Sequence, residues 1–433
     1  MTLPLPTELP GEFVLKARYV FSSDAAPRED VCLAIAQGHV VEIASPDSFA
    51  ANSGAASNKF PVYDLGNCAL IPGLVNAHTH LEFSEIRAPL GEPGMPLPDW
   101  IRLVIAWRQQ NGTDSITRAL AAGWQESVRS GATELGEIST HGWNAAALAG
   151  VPLRVTAFRE LIATDPQLAA ERVTSAVKEA AKVPSSGELA LMTPGLSPHA
   201  PYSTSMELVQ QTVKAAVHKG WPVAIHLAES PQEIEYLATG EGPFRQLLEE
   251  LGVWHTAAFA PPSNPLDYLK ILAAAPHAYV IHGNYLSDEE VRFLADNRER
   301  MTLVYCPRTH AYFGHQAYPL AKVMESGVRL AIGTDSRASN PDLNIFAELQ
   351  FLARRADVPH AKILEWGTQP LIANSEVRDA GRSLSAGSVA DLVIVALPEH
   401  QVGDPLELLF AEESRVAATV IAGRLFLADK PTA

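Results

Sequence analysis

Eight short apolar runs separated by helical patterns predict an α/β chain. Its main body is expected to close as a (β/α)8 TIM barrel, with a small β-sandwich domain formed by both chain termini. Three observations carry that expectation. The runs lack the polar alternation of a half-solvated strand, as parallel strands covered on both faces do. Stretches with apolar residues three and four apart lie between most of them. The two ends of the chain instead read as short strands joined by tight turns. Residues 1–68 with 376–433 are assigned to the sandwich, and 69–375 to the barrel.

Taken in order, residues 13–64 hold short strands, with "VCLAIAQGHVVEIA" reading as a hairpin around Gln37-Gly38. The eight barrel runs follow: "IPGLVNA" (71–77), "ATELGEIS" (132–139), "LRVTAFRE" (153–160), "LALMTPGLS" (189–197), "PVAIHL" (222–227), "AYVIH" (278–282), "TLVYC" (302–306) and "RLAIGTD" (329–335). Helices are expected at 115–129, 166–182, 205–219 and 341–355. The closing segment, 390–427, supplies "ADLVIVAL" and "VAATVIAGRLFLA", the latter turning at Ala422-Gly423. An open doubly wound sheet is the rival architecture, but the G-x-G-x-x-G fingerprint that would favour it is missing. Two loops, 81–99 and about 228–263, exceed what a connection needs. Both follow a strand's C-terminal end, where barrel enzymes keep their active sites.

Composition narrows the function classes. The 433 residues are 47% hydrophobic and 19% charged, ample for a large core. With 33 Lys and Arg against 49 Asp and Glu the net charge is −16, which argues against nucleic acid or an anionic membrane surface as partner. A small-molecule substrate fits better. Cys32, Cys68 and Cys306 are odd in number and far apart, so they suit a reducing compartment rather than a disulfide framework. The start, "MTLPLPTELPGEF", has no basic region followed by an apolar core, and no run is long enough to span a bilayer. A cytoplasmic location is expected. A homodimer is compatible with the chain, although no interface is legible in it.

The chemistry concentrates at strand ends. Residues i and i+2 of a strand share a face, so His78 and His80 of "NAHTH" point together into the barrel mouth, set to bind one metal ion. The plainer alternative is a pair of core histidines hydrogen-bonded to neighbours. Further polar residues end other strands: His199 in "SPHAPYS", His226 in "HLAES" with Glu229 three residues on, His282 in "HGN" and Asp335 in "GTDSRASN". A lone histidine of this kind is usually a satisfied core residue. Five strand ends carrying His or Asp on one face make coincidence a poor explanation.

"PGLVNAHTH", "HLAE", "IHGN", "YCPRTH" and "GTDSRASN", in that order, resemble the amidohydrolase superfamily. The nearer likeness is to its branch of aromatic deaminases and chlorohydrolases, including adenosylhomocysteine-, guanine-, triazine- and aminodeoxyfutalosine-processing enzymes. The likeness covers nearly the whole chain, down to "LSAGSVADLVIV" and "VIAGRLFLA" at its end. It implies that His78, His80, His226 and Asp335 hold one divalent metal ion, zinc first and Fe2+ second. It implies further that Glu229 shuttles protons, that His282 polarises the attacked atom, and that His199 contacts the substrate. Asp335 would also accept the proton of the attacking water. Three imidazoles and a carboxylate leave a position open for water and make it acidic enough to attack near neutral pH. Binuclear members bridge their metals with a lysine at the end of strand four, and "ELALMTPGLSPHA" contains none, so one metal is expected. The other zinc-deaminase signature is absent, since no C-x-x-C occurs.

The implied activity is hydrolytic deamination of an aminated purine or adenosine-like nucleoside. Hydrolysis of another C–N or C–Cl bond by the same water is the runner-up, and a non-catalytic binding module the alternative from another class. Several residues keep two readings. The loop "CPRTHAYFGH" departs from the commoner C-P-x-S-N pattern, and its Arg308, His310 and His315 either read the substrate or pack and pair within the loop. Trp100 either covers a substrate ring or anchors the first helix. Of Arg159 and Glu160 at the end of strand three, only one can face inward.

Overall fold

The computed structural model describes residues 5–22, 25–51, 59–112, 115–148, 153–183, 191–255, 262–355, 357–371, 384–399 and 402–428. The expected domain boundary at 375/376, the first two residues of the 189–197 run and residues 256–261 of the second long loop lie outside them. In chain order the strands are β1 (Glu12–Ser22), β2 (Ala25–Ala36), β3 (His39–Ala44), β4 (Val62–Asp64) and β5 (Cys68–Pro72). Next come β6 (Leu74–Thr79), β7 (Ala132–Ser139), β8 (Arg154–Leu161), β9 (Leu191–Pro198), β10 (Val223–Leu227), β11 (Ala278–His282), β12 (Met301–Tyr305) and β13 (Leu330–Ile332). The last are β14 (Leu392–Ala396), β15 (Arg415–Ile421) and β16 (Arg424–Leu427).

Both termini join one mixed sheet in the order β16-β15-β14-β5-β1-β2-β3, with β4 also on β1. Alternate residues Phe13, Leu15 and Ala17 of β1 meet Leu33 and Ile35 of β2, Leu392 and Ile394 of β14, and Val420 of β15 in one buried cluster. On the opposite face Val14, Cys32, Ala34 and Phe49 make a smaller one. Register shifts at Val20/Ser22, Ala34/Ile35 and Ile394/Val395 bend the strands. The two hairpins turn where expected. Gln37 and Gly38 have φ 49° and 76°, and Ala422 and Gly423 have 48° and 78°, the paired left-handed geometry of a two-residue turn.

The barrel wall runs β6 to β13 in sequence order. A parallel bridge between Thr79 and Asp335 brings the last strand back to the first. Residues of β7, β10, β11 and β12 are buried throughout, and β10 to β12 accordingly read as largely apolar runs, whereas β7 also carries Glu134 and Glu137. Helices follow most strands and carry ordinary stop and start signals. In Met206–Lys219, for example, the Ser205 side chain accepts from Leu208 N, and Gly220 ends the helix at φ 69°. Between β7 and β8 the described residues hold only a short 3-10 turn, Ala145–Leu148. The chain packs as two units, Met1–Asn76 with Gln125–Leu135 and Asn344–Ala433, and Ala77–Trp124 with Gly136–Leu343. All site residues discussed below belong to the second. No helix among the described residues is long and apolar enough to cross a membrane.

Candidate active site

Parallel strands all present their C-terminal ends at one mouth, and each chemistry-bearing residue sits there. His78 is the penultimate residue of β6, with His80 just beyond it; His226 is the penultimate residue of β10, His282 ends β11, and Asp335 follows β13. The register Leu227↔His282 sets His226 and His282 on neighbouring strand ends. His80 Nε2 lies 3.3 Å from His226 Nε2, while Asp335 Oδ1 lies 3.6 Å from His78 Nε2 and 3.8 Å from His80 Nε2. Donor atoms of His78, His80 and His226 fall within 4.8 Å of one another, as do those of His78, His282 and Asp335. All five side chains are buried. Gly333 permits the closest approach in this ring: a Cβ there would stand 2.8 Å from His78 Cβ and 3.0 Å from its backbone nitrogen.

Three non-glycine residues at this mouth adopt left-handed backbone: Ala228 (φ 54°), His282 (70°) and Asp335 (61°). Such conformations cost on the order of 1–3 kcal/mol each and persist where surrounding bonds over-determine them. The bonds are present. The Glu233 carboxylate accepts from Ala228 N at 2.8 Å and Glu229 N at 2.9 Å. Tyr318 Oη donates to the His282 carbonyl at 3.1 Å. Asp335 N donates to the His78 carbonyl at 3.0 Å, and Ser339 Oγ donates to Asp335 Oδ2 at 3.1 Å.

The donor set fits a divalent cation. His78 Nε2 and His80 Nδ1 are shut from water without a hydrogen-bond partner among the described residues, a costly arrangement unless a ligand uses the imidazoles. His226 Nδ1 lies 2.9 Å from the His199 carbonyl, so that nitrogen carries the proton and Nε2 keeps its lone pair for the shared point. Several imidazole nitrogens with one carboxylate oxygen suit zinc or iron. Glu229 Oε1 stands 3.4 Å from His282 Nε2. Burial, then the charges of Asp335 and Glu233, push the Glu229 carboxyl well above the usual carboxylate range. Burial, with Arg108 and His78 adding to it, pushes His199 down to about 3, and His199 Nδ1 lies 2.6 Å from Ser203 Oγ.

These groups open into a cavity of about 530 Å3 that also touches Trp100, Leu97, Leu247 and Trp254. Trp100 lines the cavity, and its Nε1 donates to the Ala338 carbonyl at 3.1 Å. The loop after β12 packs and pairs. Arg308 Nη2 is 2.5 Å from Asp342 Oδ1, His310 bonds to Asn284 Oδ1 and the Gln316 carbonyl, and His315 bonds to Tyr285 Oη. None of the three lines the cavity. Arg159 turns to the Ser139 and Thr140 carbonyls, whereas Glu160 faces the cavity.

Sequence reasoning passed over several members of the site. Glu137 is fully buried and accepts from Thr79 Oγ1 at 2.6 Å and Leu81 N at 3.1 Å, bracing the backbone on either side of His80. Burial pushes its carboxyl well above the usual range. Glu82 pairs with Arg108 at 2.5 Å, and burial comes first in pushing the Glu82 carboxyl up. Glu134 and Glu137 in the otherwise apolar "ATELGEIS" were the available signal, because a carboxylate in a run buried on both faces needs a partner.

The chain's relatives agree with this geometry. Residues 69–426 match the model of the Amidohydrolase family. The chain is 28% identical over 347 residues to a 5-methylthioadenosine/S-adenosylhomocysteine deaminase of Pyrococcus furiosus, covering 78% of this chain and 77% of that one. Helicobacter pylori aminofutalosine deaminase, solved with methylthio-coformycin, superposes with a TM-score of 0.80 at 19% identity, over 96% of this chain and all of its own. A Xanthomonas campestris adenosine deaminase solved with bound zinc gives 0.72 at 24% identity, over 98% of this chain and 94% of its own. Eight parallel strands, a histidine- and aspartate-lined mouth and a family match across most of the sequence lead to one assignment: the chain belongs to the amidohydrolase family.

Proposed function

We propose that the protein is a hydrolytic deaminase of adenine-type nucleosides, working through one divalent cation held by His78, His80, His226 and Asp335. The single observation that carries the reading is the buried ring of imidazoles and aspartate, with the Glu229 carboxyl 3.4 Å from His282 Nε2 beside it. The relatives named as nucleoside deaminases support the substrate class, and the zinc-bound neighbour supports zinc over iron.

A divalent cation bound there supplies Lewis acidity, which makes a water acidic enough to attack near neutral pH. Asp335, oriented by the Ser339 hydroxyl that donates to its Oδ2, takes a proton from the attacking water. Glu229, whose carboxyl burial pushes well above the usual carboxylate range, delivers a proton to the ring nitrogen beside the carbon that bears the amine. His282, next to Glu229, donates toward the oxygen as negative charge develops on it. Asp335 passes the water's first proton to the departing amine and the new hydroxyl returns its proton to Glu229, so that water and the aminated ring give the oxo ring and ammonia with both carboxyls restored. His199, lining the same cavity, contacts the ring.

The cavity volume lies in the range of small-molecule sites. Its outer part carries Ile162, Leu168, Leu251 and Val253, apolar side chains more than a third exposed. A nucleoside with an apolar 5′ substituent would cover them, gaining on the order of 25 cal/mol per Å2. The test is ammonia release by zinc-loaded protein from adenosine, 5′-methylthioadenosine, S-adenosylhomocysteine, guanine and a chlorotriazine. Ammonia from the adenine nucleosides is expected. Turnover of the chlorotriazine alone, or of none, would overturn the reading.

A further inference from the structure

The polar groups around the cavity are mostly accounted for. His199 is engaged by Ser203, Arg108 by Glu82 and by the Phe83 ring 5.0 Å beneath it, and Thr164 by the Val253 carbonyl. Glu160 differs. It is the penultimate residue of β8 and lines the cavity, and no hydrogen bond runs to its carboxylate among the described residues. Arg108 and Arg159 lie close enough for their charges to act on it, yet each already donates elsewhere. The register Glu160↔Ser197 sets it beside the strand that leads to His199.

Resting on the nucleoside reading above, we infer that Glu160 is a specificity residue that accepts hydrogen bonds from the vicinal 2′ and 3′ hydroxyls of the substrate's ribose. Two carboxylate oxygens match two adjacent hydroxyl donors, and an acceptor inside a cavity selects a ligand that brings donors. Position agrees with chemistry. The ends of β8 and β10 are two strand spacings apart, about 4.8 Å each. That span is comparable to the reach from the amine-bearing carbon of a purine, held at His226 and Glu229, to the hydroxyls of its sugar. Glu82 cannot take this role while its oxygen is committed to Arg108.

The experiment compares kcat/KM for adenosine, 2′-deoxyadenosine and 2′,3′-dideoxyadenosine in the zinc-loaded native enzyme, Glu160→Ala and Glu160→Gln. The native enzyme should favour adenosine over the dideoxynucleoside on the order of 100-fold, the span of a hydrogen bond to a charged acceptor. Glu160→Ala should lose that preference by raising KM for adenosine while leaving the dideoxynucleoside nearly unchanged. Glu160→Gln, which keeps an acceptor oxygen and the side-chain shape, should retain part of it. A native enzyme indifferent to the hydroxyls would overturn the inference. So would an alanine variant that slows all three substrates equally, since a purely structural carboxylate would do that. In either case the deaminase reading stands. Absence of ammonia from every nucleoside would overturn both.

Discussion

Glu229 and Asp335 sit within one buried cluster yet are held in opposite ways, and their substitutions should separate cleanly. Glu229 is pushed toward the protonated state, with no metal-facing bond among its described contacts. Glu229→Gln keeps the side chain's shape and should retain bound metal and the melting temperature while turnover drops by roughly two orders of magnitude or more. Metal analysis and steady-state rates on the same preparation decide it, and near-native turnover would exclude the shuttle role. Asp335→Ala removes a carboxylate oxygen 3.6 Å from His78 Nε2 and 3.8 Å from His80 Nε2. It should lower metal content together with rate, and unchanged metal content would argue against a ligand role. Both residues were legible in the sequence because an apolar run ended in a side chain with no business in a core. Glu82 and Arg108 were not, and at the end of strand three the sequence left open whether Arg159 or Glu160 faces inward. Their pairings join a loop, a helix and a strand separated by tens of residues, so no local pattern announced which carboxylate would be left facing the cavity.

At the scale of elements, the mouth depends on turns that residue type does not reveal. Gly38 and Gly423 announce their hairpins because glycine tolerates left-handed backbone. Ala228, His282 and Asp335 adopt the same region with no such signal, held there by contacts to Glu233, Tyr318 and Ser339. Gly333 has the opposite logic. Its neighbour is the His78 backbone itself, 3.0 Å from where a Cβ would stand, so neither side can yield cheaply. Gly333→Ala is expected to cost about 2 kcal/mol of stability through overpacking and to displace His78 from the shared point. Denaturant unfolding with and without added zinc reads both effects. A variant with native stability and metal content would show that β6 and β13 approach less tightly than described. The strands themselves were readable from composition because burial on both faces leaves an unbroken apolar run, as in β11 and β12.

The whole molecule carries its own pH signature through buried imidazoles outside the site. His277 is buried with Nε2 2.9 Å from Thr302 Oγ1, and burial, then the Arg329 charge, pushes it down to about 3. Because its folded-state pKa is depressed, its contribution is fully present above the unfolded value near 6.5 and is lost as pH falls from there toward 3. Between pH 6.5 and 5 that loss is about 2 kcal/mol. His277→Gln should therefore show a smaller drop in unfolding free energy over that interval than the native chain, measured by urea titration at both pH values. Equal drops would mean that His277 stays hydrated.

The central claim is that residues from distant strands converge to hold a single cation on which deamination depends. Titration of chelator-stripped protein with zinc, following ammonia release from an adenine nucleoside, tests it most directly. Release is expected to be negligible without zinc and to saturate at about one equivalent per chain. Full activity in the stripped protein, or a rate that keeps rising until a second equivalent is bound, would contradict it.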